Sequence, residues 1–279
     1  MIKFLFFDLG NVLLNEDVFR FKEYEILWGY LRKEGARWGF EEIVKERERR
    51  VQRFRDPNAF LSIGKMNLAP RVYEKYLRHL AYFKQKYRNK YIALVPGMRD
   101  VLTILHHYYH LGIIANQEPS VRSILKRFNI THYFNVIAIS GELKTAKPGL
   151  KIYQWALEKA QCAPEQAVMI GDRLSRDILP AKRLGMLTIW VRFSPPEKGI
   201  FAQHYRERLY FQSLVDFPDW PEAPRSEAES PNQIVSRVAD IPATLQEMDT
   251  GSPAQRPQLS PKKSIWQEIM DVDAAWELK

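Results

Sequence analysis

Several side chains that could act together in catalysis stand at or near the ends of predicted strands. Asp8 ends the apolar run IKFLFFD, Asn116 ends LGIIAN, and Asp172 ends QAVMIGD. Lys147 lies in the loop after the run FNVIAIS, and Asp177 follows Asp172 by five residues. Open parallel sheets bind ligands beyond the carboxyl ends of their strands, so we expect these side chains to converge.

The residue types indicate phosphate chemistry assisted by a cation. Mg²⁺ usually takes one or two carboxylates together with waters and phosphate oxygens, which suits Asp8, Asp172 and Asp177. Lys147 and the amide of Asn116 would hold the anion, and an aspartate beside a metal and a lysine can attack phosphorus. Each residue also has an ordinary structural interpretation. For example, Asp177 begins a predicted helix, where aspartate is a common N-cap.

Strands and helices alternate strictly after Pro96-Gly97, which is typical of a doubly wound parallel sheet. The first strand is a nearly continuous apolar run, as expected for a strand buried on both faces. The later elements are a helix at 98–109, a strand at 111–116, a helix at 119–128, a strand at 134–140, a helix at 149–160, a strand at 166–172, a helix at 177–185 and a strand at 186–191. Residues 234–248 read as one more strand and a short helix.

Residues 15–94 have a different texture, with apolar residues three and four apart among many charges. This pattern predicts amphipathic helices. By count they hold 19 Lys/Arg against 11 Asp/Glu. The segment KYLRHLAYFKQKYRNK interleaves aromatic and basic residues as nucleic-acid surfaces do. On an amphipathic helix, however, the aromatics form core, so we favour a solvated basic face and do not expect nucleic acid as a partner.

Four motifs in order resemble those of the haloacid dehalogenase (HAD) superfamily. FFDLGNVLL resembles the first, IIAN the second, AKPGLKIY the third and MIGDRLSRD the fourth. The resemblance covers residues 1–195 and includes a DLGNV-type first motif. It implies an α/β fold, with a Rossmann-like parallel sheet core of 1–14 and 95–200 that 234–248 completes, and an inserted all-helical C1 cap of 15–94. Residues 201–233 are expected to be a loose insertion and 249–279 a flexible tail.

The resemblance also implies a mechanism for a Mg²⁺-dependent phosphomonoester hydrolase acting on a small phosphorylated metabolite. Asp8 attacks phosphorus and forms an aspartyl-phosphate, which water then hydrolyses. Mg²⁺ is held by Asp8, the backbone carbonyl of Gly10 and Asp172, with Asp177 as a ligand or as support for the ligands. Asn116 and Lys147 hold the phosphoryl oxygens. The cap closes over the substrate and selects it.

Two departures from the family pattern bear on activity. Gly10 stands where the usual phosphatase motif has a second Asp as general acid–base, a group that typically contributes about 10²–10⁴-fold. Ala115 stands where a hydroxyl residue usually contacts phosphate. These departures motivate an alternative, a catalytically weak HAD-like protein that binds a phosphorylated ligand or partner. A dehalogenase is disfavoured because that branch typically works without metal, whereas this chain keeps both Asp172 and Asp177.

Composition excludes several broad classes. Apolar residues make up 46% and charged residues 27% of 279, as in ordinary globular proteins. The apolar runs are strand-sized, well short of the roughly 20 residues that span a bilayer, so we expect no membrane association. Cys162 is the single cysteine, which fits a reducing compartment and a cytoplasmic protein. The substrate and the oligomeric state stay open.

Overall fold

A six-stranded, entirely parallel sheet forms the centre of the core unit in the computed structural model, which describes residues 1–35, 38–56, 58–218 and 222–250. Its strand order is β5-β4-β1-β6-β7-β8. The strands are β1 (Phe4–Phe7), β4 (His110–Ala115), β5 (Phe134–Ile139), β6 (Ala167–Gly171), β7 (Leu187–Val191) and β8 (Gln233–Val235). The predicted α/β fold with a parallel sheet is confirmed.

The central strands are apolar along their whole length because they are covered on both faces. β1 and β6 are buried at every position. A cluster of buried side chains, including Phe4, Phe6 and Met169 from the sheet and Ile152 and Tyr153 from a helix, packs one side of this layer. Parallel strands buried on both faces read as continuous apolar runs, which is why the sequence indicated them.

The helices of the core unit follow the alternation that the sequence predicted, with ends that differ by a few residues. They are α5 (Met98–His106), α6 (Val121–Arg127), α7 (Ser140–Leu143), α8 (Leu150–Ala160), α9 (Leu179–Arg183) and α11 (Ile241–Thr250). A π-helical turn at Leu174–Ile178 precedes α9, and 3₁₀ turns lie at Thr131–Tyr133, Pro164–Gln166, Glu227–Glu229 and Val238–Asp240. Two short strands, β2 (Leu14–Asn15) and β3 (Ala93–Leu94), form a separate two-stranded sheet.

Described residues 16–93 and 200–218 form a second compact unit, here called the helical unit. Its helices are α1 (Asp17–Lys33), α2 (Phe40–Phe54), α3 (Ala59–Asn67), α4 (Pro70–Tyr91) and α10 (Tyr205–Asp216). It has its own aromatic-rich core, in which Phe21 contacts Phe40, Tyr210 and Phe211. Apolar residues at helical spacing therefore pack inward, and the charged residues Glu23 and Arg47 are buried with them.

Helix α10 lies inside the stretch 201–233 that the sequence indicated as a loose insertion. It groups with the helical unit through Tyr210 and Phe211, whereas residues 222–250 group with the core unit. The expected flexible tail falls mainly on residues 251–279, which lie outside the described part of the chain. Among the described residues, no helix is both long and apolar enough to cross a membrane.

Candidate active site

Two neighbouring strands place Asp8 and Asp172 side by side. β1 and β6 pair in parallel with Phe7 opposite Ile170, and the amide of Asp8 donates to the carbonyl of Ile170 at 2.9 Å. Each aspartate directly follows its strand, so both lie at the carboxyl edge of the sheet. This is the position that the strand-end argument predicted.

Asp177 reaches the same edge through the π-helical turn that follows Asp172. Its amide donates to the Arg173 carbonyl at 2.8 Å, and its Oδ2 accepts the Arg173 amide at 3.0 Å. A Cβ at Gly171 would lie 2.3 Å from the Cβ of Asp177, so the side chain can pack there only because position 171 is glycine. Insertions of this kind in helices are often found at functional sites.

Lys147 lies between two of the three carboxylates and is almost fully buried. Its Nζ is 2.8 Å from Asp8 Oδ1 and 2.5 Å from Asp177 Oδ1. One oxygen each from Asp8, Asp172 and Asp177 can be chosen so that all three lie within 4.8 Å of one another. Three carboxylate oxygens this close together are an arrangement that can hold a divalent cation.

The pKa values of these groups reflect burial and mutual charge. Burial alone would lower the pKa of Lys147, but the charges of Asp177 and Asp8 outweigh it and raise that pKa. Burial, together with repulsion from Asp8 and Asp177, raises the pKa of Asp172 to about 8. Burial likewise raises the pKa of Asp177, although Lys147 opposes the shift. Holding Asp172 and Asp177 as carboxylates thus requires compensation by positive charge.

The donor set fits Mg²⁺. Asp172 Oδ1 is buried and has no hydrogen-bond partner among the described residues, an arrangement that is costly unless another group satisfies the oxygen. Clustered carboxylate oxygens are the hard ligands that Mg²⁺ prefers. Among the described residues, this is the one such group of three acidic, histidine or cysteine side chains.

Asn116 follows β4 and is held against the backbone of Lys147. Its Nδ2 donates to the Lys147 carbonyl and its Oδ1 accepts the Lys147 amide, both at 2.8 Å. An amide nitrogen carries two hydrogens, so one remains for a phosphate oxygen. The predicted phosphate contact of Asn116 stays a prediction. What the structure adds is a direct link from this side chain to Lys147.

A tight turn follows Asp8 and contains Gly10. The amides of Leu13 and Leu14 both donate to the Leu9 carbonyl, and Asn11 adopts a left-handed conformation with φ 56°. Asparagine tolerates this region better than most residues, which explains its place in the motif. Glycine offers no carboxyl group at position 10, where the usual phosphatase motif has a second Asp. The carbonyl of Gly10 as a metal ligand stays a prediction.

Three side chains that the sequence did not single out hold the loop that carries Asp172 and Asp177. Trp190 Nε1 donates to the Asp172 carbonyl at 2.9 Å, and the hydroxyl of Tyr153 donates to the Arg176 carbonyl. Glu222 accepts hydrogen bonds from Ser175. No spacing in the sequence indicates these contacts because each joins segments that are more than 15 residues apart.

Comparison with known proteins agrees with the geometry. A family model described as haloacid dehalogenase-like hydrolase matches residues 5–191. A glyceraldehyde 3-phosphate phosphatase of Pyrococcus abyssi is 36% identical over 116 residues, 41% of this chain and 48% of that protein. The chain thus spans about half the length of the first curated relatives it matches. A pyrimidine 5′-nucleotidase of Streptococcus pneumoniae is 26% identical over 78% of this chain and 95% of its own length.

Solved structures share the fold at low identity. A HAD-superfamily hydrolase from Geobacter sulfurreducens aligns with a TM-score of 0.61 and 16% identity, covering 88% of this chain and 96% of that one. The family model covers well over half of the chain and includes Asp8, Asn116, Lys147, Asp172 and Asp177. The protein belongs to the haloacid dehalogenase-like hydrolases.

Proposed function

We propose that this protein is a Mg²⁺-dependent phosphomonoester hydrolase that acts on a small phosphorylated metabolite through an aspartyl-phosphate intermediate. The observation that carries the proposal is the cluster of Asp8, Asp172 and Asp177 around Lys147, with the unpartnered Oδ1 of Asp172 among the described residues. Relatives named as a glyceraldehyde 3-phosphate phosphatase and a pyrimidine 5′-nucleotidase support it, since both names denote hydrolysis of phosphate monoesters.

Asp8 is the proposed nucleophile. Its carboxylate oxygen attacks phosphorus while the bond to the ester oxygen breaks, so the phosphoryl group passes to Asp8. Water then attacks the phosphorus, releases inorganic phosphate and regenerates the carboxylate. Lys147, fixed 2.8 Å from Asp8, stabilises the negative charge on the phosphoryl oxygens as the attack proceeds.

Asp8, Asp172 and the carbonyl of Gly10 are the proposed ligands of Mg²⁺, with Asp177 ligating or supporting them. When bound, the ion supplies charge stabilisation to the phosphoryl oxygens. Asn116 is proposed to donate its remaining amide hydrogen to the same phosphoryl group while its other contacts hold Lys147. The family resemblance assigns substrate selection to the cap of residues 15–94, and this assignment stays a prediction.

The first experiment compares hydrolysis of an aryl phosphate with that of an alkyl or sugar phosphate, with Mg²⁺ and with chelator. An aryl oxide leaves without protonation, so it tests Asp8 and the metal independently of the acid that is absent at Gly10. We expect Mg²⁺-dependent turnover that falls by at least about 10³-fold in Asp8→Asn. Asp216→Asn, an exposed aspartate in α10, is the matched control and should retain full turnover.

A second function, binding of a phosphorylated ligand without turnover, is motivated by Gly10 and by Ala115, which is buried and offers no hydroxyl. If neither phosphate class is hydrolysed although Mg²⁺ binds, the enzyme proposal fails. Calorimetric binding of phosphorylated metabolites would then identify the binding function. Turnover of alkyl phosphates would show that leaving groups can depart here without an acid at position 10.

A further inference from the structure

The loop from Asp172 to Asp177 carries the proposed metal ligand Asp172 and also Asp177, which ligates the metal or supports its ligands. This loop is held from two sides. Trp190 lies on β7, where its Nε1 donates to the carbonyl of Asp172 at 2.9 Å. Trp190 is buried, with 5% of its surface exposed. The guanidinium carbon of Arg192 lies 4.9 Å from the centroid of its ring. The ring is therefore fixed in place, and the hydrogen bond sets where the backbone of Asp172 lies.

Glu222 holds the other side of this loop. Its carboxylate accepts the Ser175 amide at 3.0 Å with one oxygen and the Ser175 hydroxyl with the other. Ser175 is the second residue of the π-helical turn and stands two positions before Asp177. A carboxylate that accepts a backbone amide fixes the turn more firmly than a neutral acceptor would.

The charge of Glu222 also suits the loop. Arg173 and Arg176 lie close enough to repel each other, and Glu222 lies close enough to Arg176 to attract it. The negative charge of Glu222 therefore opposes the repulsion between the two arginines, as does that of Asp177. Glu222 lies beyond residues 5–191, the part of the chain that the family model matches. It is the first described residue of the core unit after the chain returns from α10.

We propose that Trp190 and Glu222 are positioning residues that clamp the loop 172–177 in the conformation that binds the metal. Neither side chain is a metal ligand; both act on the backbone that orients Asp172 and Asp177. The proposal rests on the Mg²⁺ site of the proposed function. Groups that orient metal ligands typically change metal affinity by 10–100-fold when they are lost. Because this clamp acts through the backbone, we expect about three- to tenfold.

The test uses the full chain with the variants Trp190→Phe and Glu222→Gln. Phenylalanine keeps an aromatic ring but removes the Nε1 donor, and glutamine keeps the shape of glutamate but removes its charge. Trp155→Phe is the first matched control, because Trp155 is a partly buried tryptophan that packs against the core from α8. Glu227→Gln is the second, because Glu227 is an exposed glutamate five residues from Glu222.

The first measurement is amide hydrogen exchange of the metal-free protein, which reports local opening without reference to activity. We expect faster exchange in peptides spanning 172–178 in both clamp variants, and wild-type exchange there in both controls. Unchanged exchange in Trp190→Phe and Glu222→Gln would overturn the clamp even if the wild-type protein is an active phosphatase.

The second measurement is calorimetric titration with Mg²⁺. The Kd for Mg²⁺ should rise about three- to tenfold in each clamp variant and stay at the wild-type value in the controls. Excess Mg²⁺ should then restore the turnover of the clamp variants, which a general loss of folding would not allow. Equal Kd values in all variants, or no Mg²⁺ binding by the wild type, would overturn the proposal. If the wild type binds Mg²⁺ but hydrolyses no phosphate ester, the proposed function fails while the clamp is still judged by its Kd values.

Discussion

Asp172, a proposed metal ligand, lies where its charge opposes the stability of the metal-free fold. Its carboxylate is buried beside Asp8 and Asp177, and this environment raises its pKa to about 8. A metal-free fold must therefore hold a group that resists ionisation at neutral pH. Positions of this kind are typical of sites where folding energy is given up for binding.

We predict that Asp172→Asn raises the thermal stability of the metal-free protein near pH 8. The raised pKa means that the folded state holds this proton more tightly than the unfolded chain does, so the carboxyl contributes less stability as pH rises above its ordinary value of 3.8. The asparagine side chain of the variant is neutral at every pH, so the variant does not lose stability in this way. Added Mg²⁺ should stabilise the wild type but not the variant. Melting curves at pH 5 and pH 8, with Mg²⁺ and with chelator, check this. A Mg²⁺ shift in the variant as large as that of the wild type, or no gain in the variant's melting temperature at pH 8, would contradict the prediction.

Asn116 connects the end of β4 to Lys147, so its substitution should affect the lysine as well as the substrate. In Asn116→Ala, the Lys147 amide and carbonyl lose both of their partners on this side chain. We expect kcat to fall by about 10-fold or more, because the Lys147 ammonium, which is proposed to stabilise developing charge, is less well placed. Steady-state kinetics with the aryl phosphate as substrate measure this change in kcat. Asn89→Ala, at an exposed position of α4, should leave kcat unchanged. A rise in KM with constant kcat would instead indicate a role in ground-state binding alone.

At the scale of elements, the site depends on strand order. β1 lies between β4 and β6, so residues more than 100 positions apart reach one edge of the sheet. Gly112 on β4 shows how closely this layer is packed, since a Cβ there would lie 2.7 Å from the ring of Phe6. The alternation of strands and helices could be read from the sequence, because continuous apolar runs are specific to strands buried on both faces.

The assignment of α10 to the helical unit could not be read in the same way. It depends on the packing of Tyr210 and Phe211 and also on Arg47 of α2, which is fully buried and bonds Ser213 and Phe217. An arginine among the many charges of residues 15–94 looks like a surface residue. Only the packed structure shows that its guanidinium satisfies backbone carbonyls at the end of another helix.

We predict that Arg47→Met destabilises the protein by about 2 kcal/mol. Methionine fills much of the volume but removes the donor to the Phe217 carbonyl and to the Ser213 hydroxyl, while the Ser213 carbonyl still accepts the Phe217 amide. Urea unfolding followed by circular dichroism measures the effect. Arg53→Met, which replaces an exposed arginine on the same helix, should change stability by less than about 0.5 kcal/mol. Equal effects in the two variants would refute the role given to Arg47.

At the scale of the whole molecule, the core unit and the helical unit differ in where their charged groups lie. The core unit concentrates acidic groups at the proposed metal site, whereas residues 15–94 are net basic. In the helical unit the carboxyl of Glu23 is buried, and its Oε1 lies 2.9 Å from the Nζ of Lys84. Burial raises the pKa of Glu23 more than Lys84 and Arg20 lower it, and Glu16 adds to the rise.

Stability should therefore depend on pH through Glu23. The folded state holds the Glu23 proton more tightly than the unfolded chain, where the pKa is about 4.5, so this carboxyl destabilises the fold increasingly as pH rises above that value. We expect the melting temperature of Glu23→Gln, relative to wild type, to increase between pH 4 and pH 7. Glu74→Gln, at an exposed position of α4, is the control. If the melting temperatures of Glu23→Gln and wild type differ by the same amount at every pH, the prediction is contradicted.

The sequence by itself determined the order of strands and helices in the core and the residues that gather at its carboxyl edge. Both depend on local information: apolar runs of strand length, and polar residues at their ends. These residues form one site because the strands of a parallel sheet all bring their carboxyl ends to the same edge.

Tertiary structure alone decided how those side chains are oriented. Lys147 bridges Asp8 and Asp177, Asn116 turns to the backbone of Lys147, and Trp190 and Glu222 hold the loop of Asp172. Each of these contacts joins segments that are remote along the chain, and none has a characteristic spacing. Hydrogen bonds and burial act through space, so a pattern read along the sequence carries no record of them until the chain has folded.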